Sequence, residues 1–155
     1  MECPQQAIFC IGEEEYGLDI MQVNIIEKYM TMTQVANSPK NVKGLIDLRG
    51  DIIPVYSLRR KFGLKDAVPD EETRFIITTS NGILMAYEVD KMKEIIQPDP
   101  EQLREVPPII TGRNTAYVKA VTNRDGRLIL LLDNNAILSE EEQKDIKAML
   151  VKKEK

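Results

Sequence analysis

Histidine and tryptophan are missing from this 155-residue chain, and cysteine and phenylalanine are scarce. The histidine gap removes the commonest general base, the commonest zinc ligand and the base of Ser-His and Cys-His nucleophilic pairs. Lysine, carboxylates and tyrosine remain for an enzyme to use, but no two acids stand in a convincing paired context. The chain therefore reads as a non-enzymatic binding module that needs no metal and no cofactor. The two cysteines form no C-x-x-C pair. Cys10 lies inside the apolar run 7–11 and reads as a small buried hydrophobe, while Cys3 belongs to a loose terminus. Glycine-rich phosphate loops are absent; Gly12 and Gly17 are isolated.

Long hydrophobic runs are also lacking. No uninterrupted one is longer than that at residues 128–132, far below the roughly 20 residues of a membrane-spanning helix. Residues 1–16 show no basic leader followed by an apolar stretch, so the expectation is a cytoplasmic protein without membrane insertion. A surplus of positive charge is missing too: 21 basic residues face 25 acidic ones, a net charge of −4. That argues against a nucleic-acid partner, whose phosphates reward a clustered basic face, and against tight electrostatic attachment to an anionic membrane.

What is present is aliphatic and punctuated. Ile, Val and Leu in short runs favour strands. Residues 7–11 and 16–20 read as a hairpin around a polar turn at 12–15. Residues 21–29 fit either a strand or a helical turn running into one. Two apolar runs flank Gly50-Asp51, where Gly at the first central position suits a type II′ turn. Pro54, lacking a donor, marks an edge or a bulge. Residues 58–64 look like a short helical turn and 66–72 like a charged loop. Asn81-Gly82 joins 74–79 to 83–89, Asp125-Gly126 joins 116–122 to 127–133, and 91–97 reads as a further strand. Pro98, Pro100, Pro107 and Pro108 break the segment between into a loop. Residues 133–138 are compatible with a helical turn. Ser139 and Glu142 resemble a capping box opening a C-terminal helix with Ile146, Met149 and Leu150 on its apolar face. Such spacing of hairpins predicts a mostly β barrel or sandwich, as one domain or two small intertwined halves.

Several motifs carry a bland reading. Glu13-Glu14-Glu15 lacks the alternating spacing of calcium ligands and reads as a solvated turn. Glu140-Glu141-Glu142 suits the positive end of a helix dipole. Arg49-Gly50-Asp51 matches an adhesion tripeptide by chance. Arg59-Arg60-Lys61 is too short for a nucleic-acid footprint and reads as a solvated helix face. Arg49, closing an aliphatic strand, is either a surface Arg worth about 0–1 kcal/mol in an ion pair or an interface Arg of the kind enriched at hot spots.

The order of residues adds a resemblance. The stretch Val42-Lys43-Gly44-Leu45-Ile46-Asp47-Leu48-Arg49-Gly50-Asp51-Ile52-Ile53-Pro54-Val55 resembles the signature of the CheW family of chemotaxis coupling proteins, G-x-I-N-L-R-G-x-I-x-P-V. The hairpin through Tyr16-Gly17-Leu18-Asp19-Ile20, the strand at Ile25-Ile26-Glu27, Glu88-Val89-Asp90 and Gly126-Arg127-Leu128-Ile129 fall in the family's order, so the likeness covers residues 7–138. Asp47 departs from the family's usual Asn, and Ala86 and Glu88 stand in a strand that is usually more apolar. The resemblance implies two small five-stranded SH3-like β-barrels packed on a shared aliphatic core, with a short C-terminal helix, spanning 1–155 as a single domain of two intertwined barrels. It implies a non-catalytic adaptor whose partners are the cytoplasmic tip of a chemoreceptor and the regulatory domain of the histidine kinase CheA. By the same resemblance Arg49 is the coupling arginine and Glu27 the acid paired with it, acting in binding or as a tie between barrel edges. Val23, Ile25, Gly44 and Leu45 would flank the same groove, which suits a helix laid into an apolar furrow. Residues 76–89 are the candidate second surface, for the kinase. A barrel serving a related motility pathway, or binding nucleic acid through a basic groove with stacked aromatics, is the alternative.

Overall fold

A computed structural model describes residues 4–106 and 117–154. Eleven strands lie among those residues: β1 (Gln6–Ile11), β2 (Glu14–Asp19), β3 (Val23–Lys28), β4 (Val42–Leu48), β5 (Asp51–Ser57), β6 (Arg74–Ser80), β7 (Ile83–Val89), β8 (Lys91–Ile96), β9 (Leu103–Arg104), β10 (Val118–Arg124) and β11 (Arg127–Leu132). Helix α1 (Leu58–Lys61) follows β5, and α2 (Glu140–Glu154) closes the chain. The expected C-terminal helix is present with its capping box: the Ser139 amide donates to Glu142 Oε1 at 3.0 Å and the Glu142 amide to Ser139 Oγ at 3.1 Å.

The strands sort into a six-stranded sheet, β8-β1-β2-β11-β10-β9, and a five-stranded sheet, β3-β6-β7-β5-β4. The second sheet is one continuous stretch of chain. The first is assembled from both ends of the sequence, through a parallel pairing of β2 with β11. The sixth strand, β9, has only two residues. The strand expected after β7 exists as β8, but it crosses over to pair with β1.

Three clusters of side chains make the core. Ile8, Ile96, Ile129 and Leu131 fill one face of the first sheet. Ile46, Ile53, Val55, Phe75, Ile77 and Ala86 fill the second sheet. The largest cluster lies between the sheets and also takes Ile146 and Met149 from α2. Aromatic residues that are scattered in sequence converge there: Phe9, Tyr16, Phe62 and Tyr117 stack in succession at 4.7–5.9 Å between ring centroids. Burial pushes the Tyr16 hydroxyl up to about 12. Cys10 is a buried free thiol, as its apolar neighbours suggested.

The turns refine the sequence reading. Leu48 pairs with Asp51, so the β4–β5 turn is Arg49-Gly50 rather than Gly50-Asp51. Both residues have positive φ, +52° and +94°, the pattern of a type I′ turn. The expected type II′ turn at Gly50-Asp51 is therefore corrected. Positive φ at the first central residue alone occurs instead at Gly12, between β1 and β2. Pro54 lies in an interior strand, yet the parallel pairing with β7 begins only at Val55, so the strand is locally an edge where the proline sits. Residues 20–22 form a 3₁₀ turn leading into β3. Residues 133–138 form a turn closed by the Ala136 amide on the Asp133 carbonyl at 2.9 Å, not a helix. Pro107, Pro108, Ala116 and Cys3 lie outside the described residues.

Candidate functional site

Arg49 and Glu27 meet. Strands β3 and β4 are the opposite edges of the five-stranded sheet, yet Arg49 Nη2, at the end of β4, donates to Glu27 Oε1 on β3 at 3.3 Å. The sheet is thus curled enough to bring its edges together at this tip. The guanidinium is 72% exposed and the carboxylate 20% exposed, so water screens the pair and its contribution to stability is about 0–1 kcal/mol.

The backbone under Arg49 is the less ordinary feature. A residue with a β-carbon in the left-handed region costs about 1–2 kcal/mol. The other two turns of this type put Asn81 and Asp125 at the first position, the residues that tolerate it best. Asp47 closes the Arg49 turn, its Oδ1 accepting from the Gly50 amide at 2.9 Å. Ile52, at the start of β5, is 51% exposed beside this tip. Neither Asp47 nor Ile52 stood out in the sequence as part of the site. The available signal was a short polar side chain three residues before a turn glycine, repeated at Asn123 and Gly126.

The remaining candidates do not all share that surface. Val23 and Ile25 are half-buried on β3, Val23 against the cluster between the sheets and Ile25 against the second sheet's own core. Gly44 and Leu45 are buried on β4. Thr33 crosses there, exchanging two backbone hydrogen bonds of 2.8 Å with Leu45. A β-carbon on Gly44 would come 2.6 Å from the Thr33 carbonyl oxygen, which explains the glycine by close backbone approach. The stretch 76–89, expected as a second docking surface, is mostly interior: Ile76, Ile77, Met85, Ala86, Tyr87 and Val89 are all buried.

Two charged positions at the end of β7, Glu88 and Asp90, are tied down. Glu88 bonds Lys43 at 2.8 Å with both side chains largely buried, which accounts for an acid in this strand. Asp90 accepts from Arg59 Nε and Nη2 at 2.9 and 2.7 Å and from the Gly12 amide at 2.7 Å. Burial opposes its charge, but Arg59 and the amide outweigh burial and hold its carboxyl below the usual range. The basic cluster is accordingly not a free solvated face: Arg59 pairs with Asp90, Arg60 with Asp66 and Lys61 with Glu142. Glu15 of the acidic run is likewise engaged, with Lys93 and Arg127. No group of three or more metal-ligating side chains gathers among the described residues, and none of their helices is long and apolar enough to cross a membrane.

The description "CheW-like domain" matches residues 5–142. The chain is 34% identical over 135 residues to the chemotaxis protein CheW of Klebsiella aerogenes, covering 87% of this chain and 81% of that protein. It is 28% identical to the chemotaxis protein CheW of Bacillus subtilis, covering 86% of each. The crystal structure of the scaffolding protein CheW from Thermoanaerobacter tengcongensis superposes with a TM-score of 0.81 at 30% identity, covering 92% of this chain and 91% of that one. On the match over most of its length and the shared two-sheet architecture, this chain belongs to the CheW family of chemotaxis coupling and scaffold proteins.

Proposed function

We propose that this chain is a non-catalytic cytoplasmic adaptor that couples the cytoplasmic tips of chemoreceptors to the histidine kinase CheA. The observation that carries the reading is the placement of the family's signature stretch. Its arginine, Arg49, stands exposed at a turn where the backbone is in an unfavourable conformation, against Glu27 at the edge of the same sheet. Strain kept at an exposed position and not recovered in buried contacts is a mark of a functional residue. Val23 and Ile25 lie on the strand that carries Glu27 and offer apolar surface for a helical hairpin. Gly44 and Leu45 shape the site from beneath. Contacts of this size are individually modest, and assembly of many copies supplies the avidity.

Co-sedimentation tests the reading. The purified chain is mixed with membranes carrying chemoreceptors, with and without CheA. It is expected to pellet with the receptors and to raise the amount of CheA in the pellet. A folded chain that pellets with neither partner removes this assignment.

A further inference from the structure

We infer that Asp47 is a positioning residue for Arg49. Its carboxylate holds the Arg49-Gly50 backbone in the left-handed turn from which the guanidinium is presented. This rests on the reading of Arg49 as a partner contact.

Left to itself, an arginine at the first position of a type I′ turn would relax toward negative φ. The single hydrogen bond from the Gly50 amide to Asp47 Oδ1, 2.9 Å long, closes the turn from the preceding strand. In the β10–β11 hairpin the same device recurs: Asn123 Oδ1 accepts from the Gly126 amide at 3.0 Å, under a turn that begins at Asp125 with φ +54°. There the acceptor is a neutral amide, so the device needs an oxygen rather than a charge. The third turn of this type begins with Asn81, which tolerates the left-handed region unaided; its backbone amide instead donates to Asn135 Oδ1. Arg49 has neither a tolerant side chain nor a distant partner for its backbone amide among the hydrogen bonds described. Beyond the Leu48–Asp51 strand pairing that closes the hairpin, Asp47 is the side chain that holds the turn's own backbone. It touches neither Glu27 nor the Arg49 guanidinium in the bonds described, and it acts through the Gly50 amide.

The test uses the full chain as Asp47→Ala, Asp47→Asn and Arg49→Gly, together with the Asp47→Ala, Arg49→Gly double variant. Each is measured for pelleting with receptor membranes and CheA, for Gly50 amide exchange by NMR, and for its thermal midpoint. Asp47→Ala is expected to weaken pelleting between about twofold and tenfold, the scale of one hydrogen bond. It should speed Gly50 exchange while leaving the chain folded. Asp47→Asn restores both readouts. In the Arg49→Gly background, Asp47→Ala should cost no further binding. Unchanged pelleting in Asp47→Ala overturns the inference, as does an Asn variant that behaves like Ala. An undiminished loss of binding in the glycine background also overturns it. If Arg49→Gly itself pellets normally, the reading of Arg49 as a partner contact has failed. If Arg49→Gly loses pelleting and Asp47→Ala does not, only the positioning role has failed.

Discussion

Two carboxylates of this molecule, Glu142 and Glu27, each meet a basic side chain, and they differ in almost everything else. Glu142 is buried at the first turn of α2. It accepts from the Tyr56 hydroxyl, from Asn41 Nδ2 and Lys61 Nζ at 3.0 Å each, and from the Ser139 amide at 3.0 Å. Burial opposes its charge, but these donors outweigh burial and hold its carboxyl below the usual range, while burial and the neighbouring carboxylate push the Tyr56 hydroxyl up. Among the described residues Glu27 has one side-chain partner, Arg49, at 3.3 Å, whose guanidinium is mostly in water. The first cluster fastens the C-terminal helix to the five-stranded sheet through partners far apart in sequence. The second leaves its arginine largely exposed. The number of donors and the burial, not the residue types, separate a structural acid from a candidate binding one.

The largest expected effect follows from the first cluster. Glu142→Ala leaves the Tyr56 hydroxyl and Asn41 amide buried without their acceptor, and it removes the capping box. It should lower stability by about 2–4 kcal/mol, measured by urea unfolding. A loss below about 1 kcal/mol would erase the contrast between the two acids. Gly44→Ala comes next, because the added methyl group meets the Thr33 carbonyl oxygen at 2.6 Å, on a residue whose carbonyl and amide each hold a backbone hydrogen bond to Leu45. A destabilisation of about 1–3 kcal/mol is expected. Gly17→Ala in the first sheet should cost less, since its nearest neighbours, at 2.9 and 3.0 Å, are the movable tips of Leu131 and Ile8. Reversal of that order by calorimetry would show that the segment crossing β4 yields more easily than side-chain ends do.

Acid sharpens the same comparison at smaller scale. A carboxyl whose folded pKa lies below its unfolded value of about 4.3 contributes stability above that value. The contribution is lost as pH falls through the folded pKa. Glu142→Gln should therefore flatten the decline of stability below about pH 4 relative to the parent chain. Asp90, shifted in the same direction by Arg59 and the Gly12 amide, keeps some decline in place. An unchanged acid limb in Glu142→Gln would mean that the buried carboxylate does not govern it.

The sequence made the local devices readable and left the long-range ones hidden. Asn81-Gly82 and Asp125-Gly126 mark real turns because the conformation they need is local. The capping box is visible because both its members lie within four residues. Nothing in the spacing of Glu142 points to Asn41, Tyr56 or Lys61, whose partnership depends on the packing of α2 against the sheet. Arg59 and Lys61 look solvated for the same reason: Asp90 and Glu142 are remote in sequence. Both parallel pairings, β2 with β11 and β5 with β7, likewise lack a local signal. At the candidate site, the one-residue shift of the β4–β5 turn arose because Arg is a poor choice for a left-handed position, and the rule that favours Gly there moved the turn forward. Arg49 and Glu27 came together through the family resemblance, since no periodicity relates a turn to the far edge of a sheet.

The smallest stability effect, and the sharpest separation of the two acids, is expected at Arg49. Arg49→Ala removes an exposed ion pair, so its loss of stability should stay within about 1 kcal/mol. Alanine keeps the left-handed strain. Arg49→Gly relieves it, at the cost of a more flexible unfolded chain, so the glycine variant should be at least as stable as the alanine variant. Both should lose receptor and CheA pelleting to a similar degree, because both lack the guanidinium. A thermal midpoint that collapses together with binding in both variants would make the Arg49 and Glu27 pair a tie between sheet edges, and the two acids would then differ in burial but not in role. Midpoints near the parent with binding lost would leave Glu142 holding the fold and Glu27 holding an arginine in readiness for a partner.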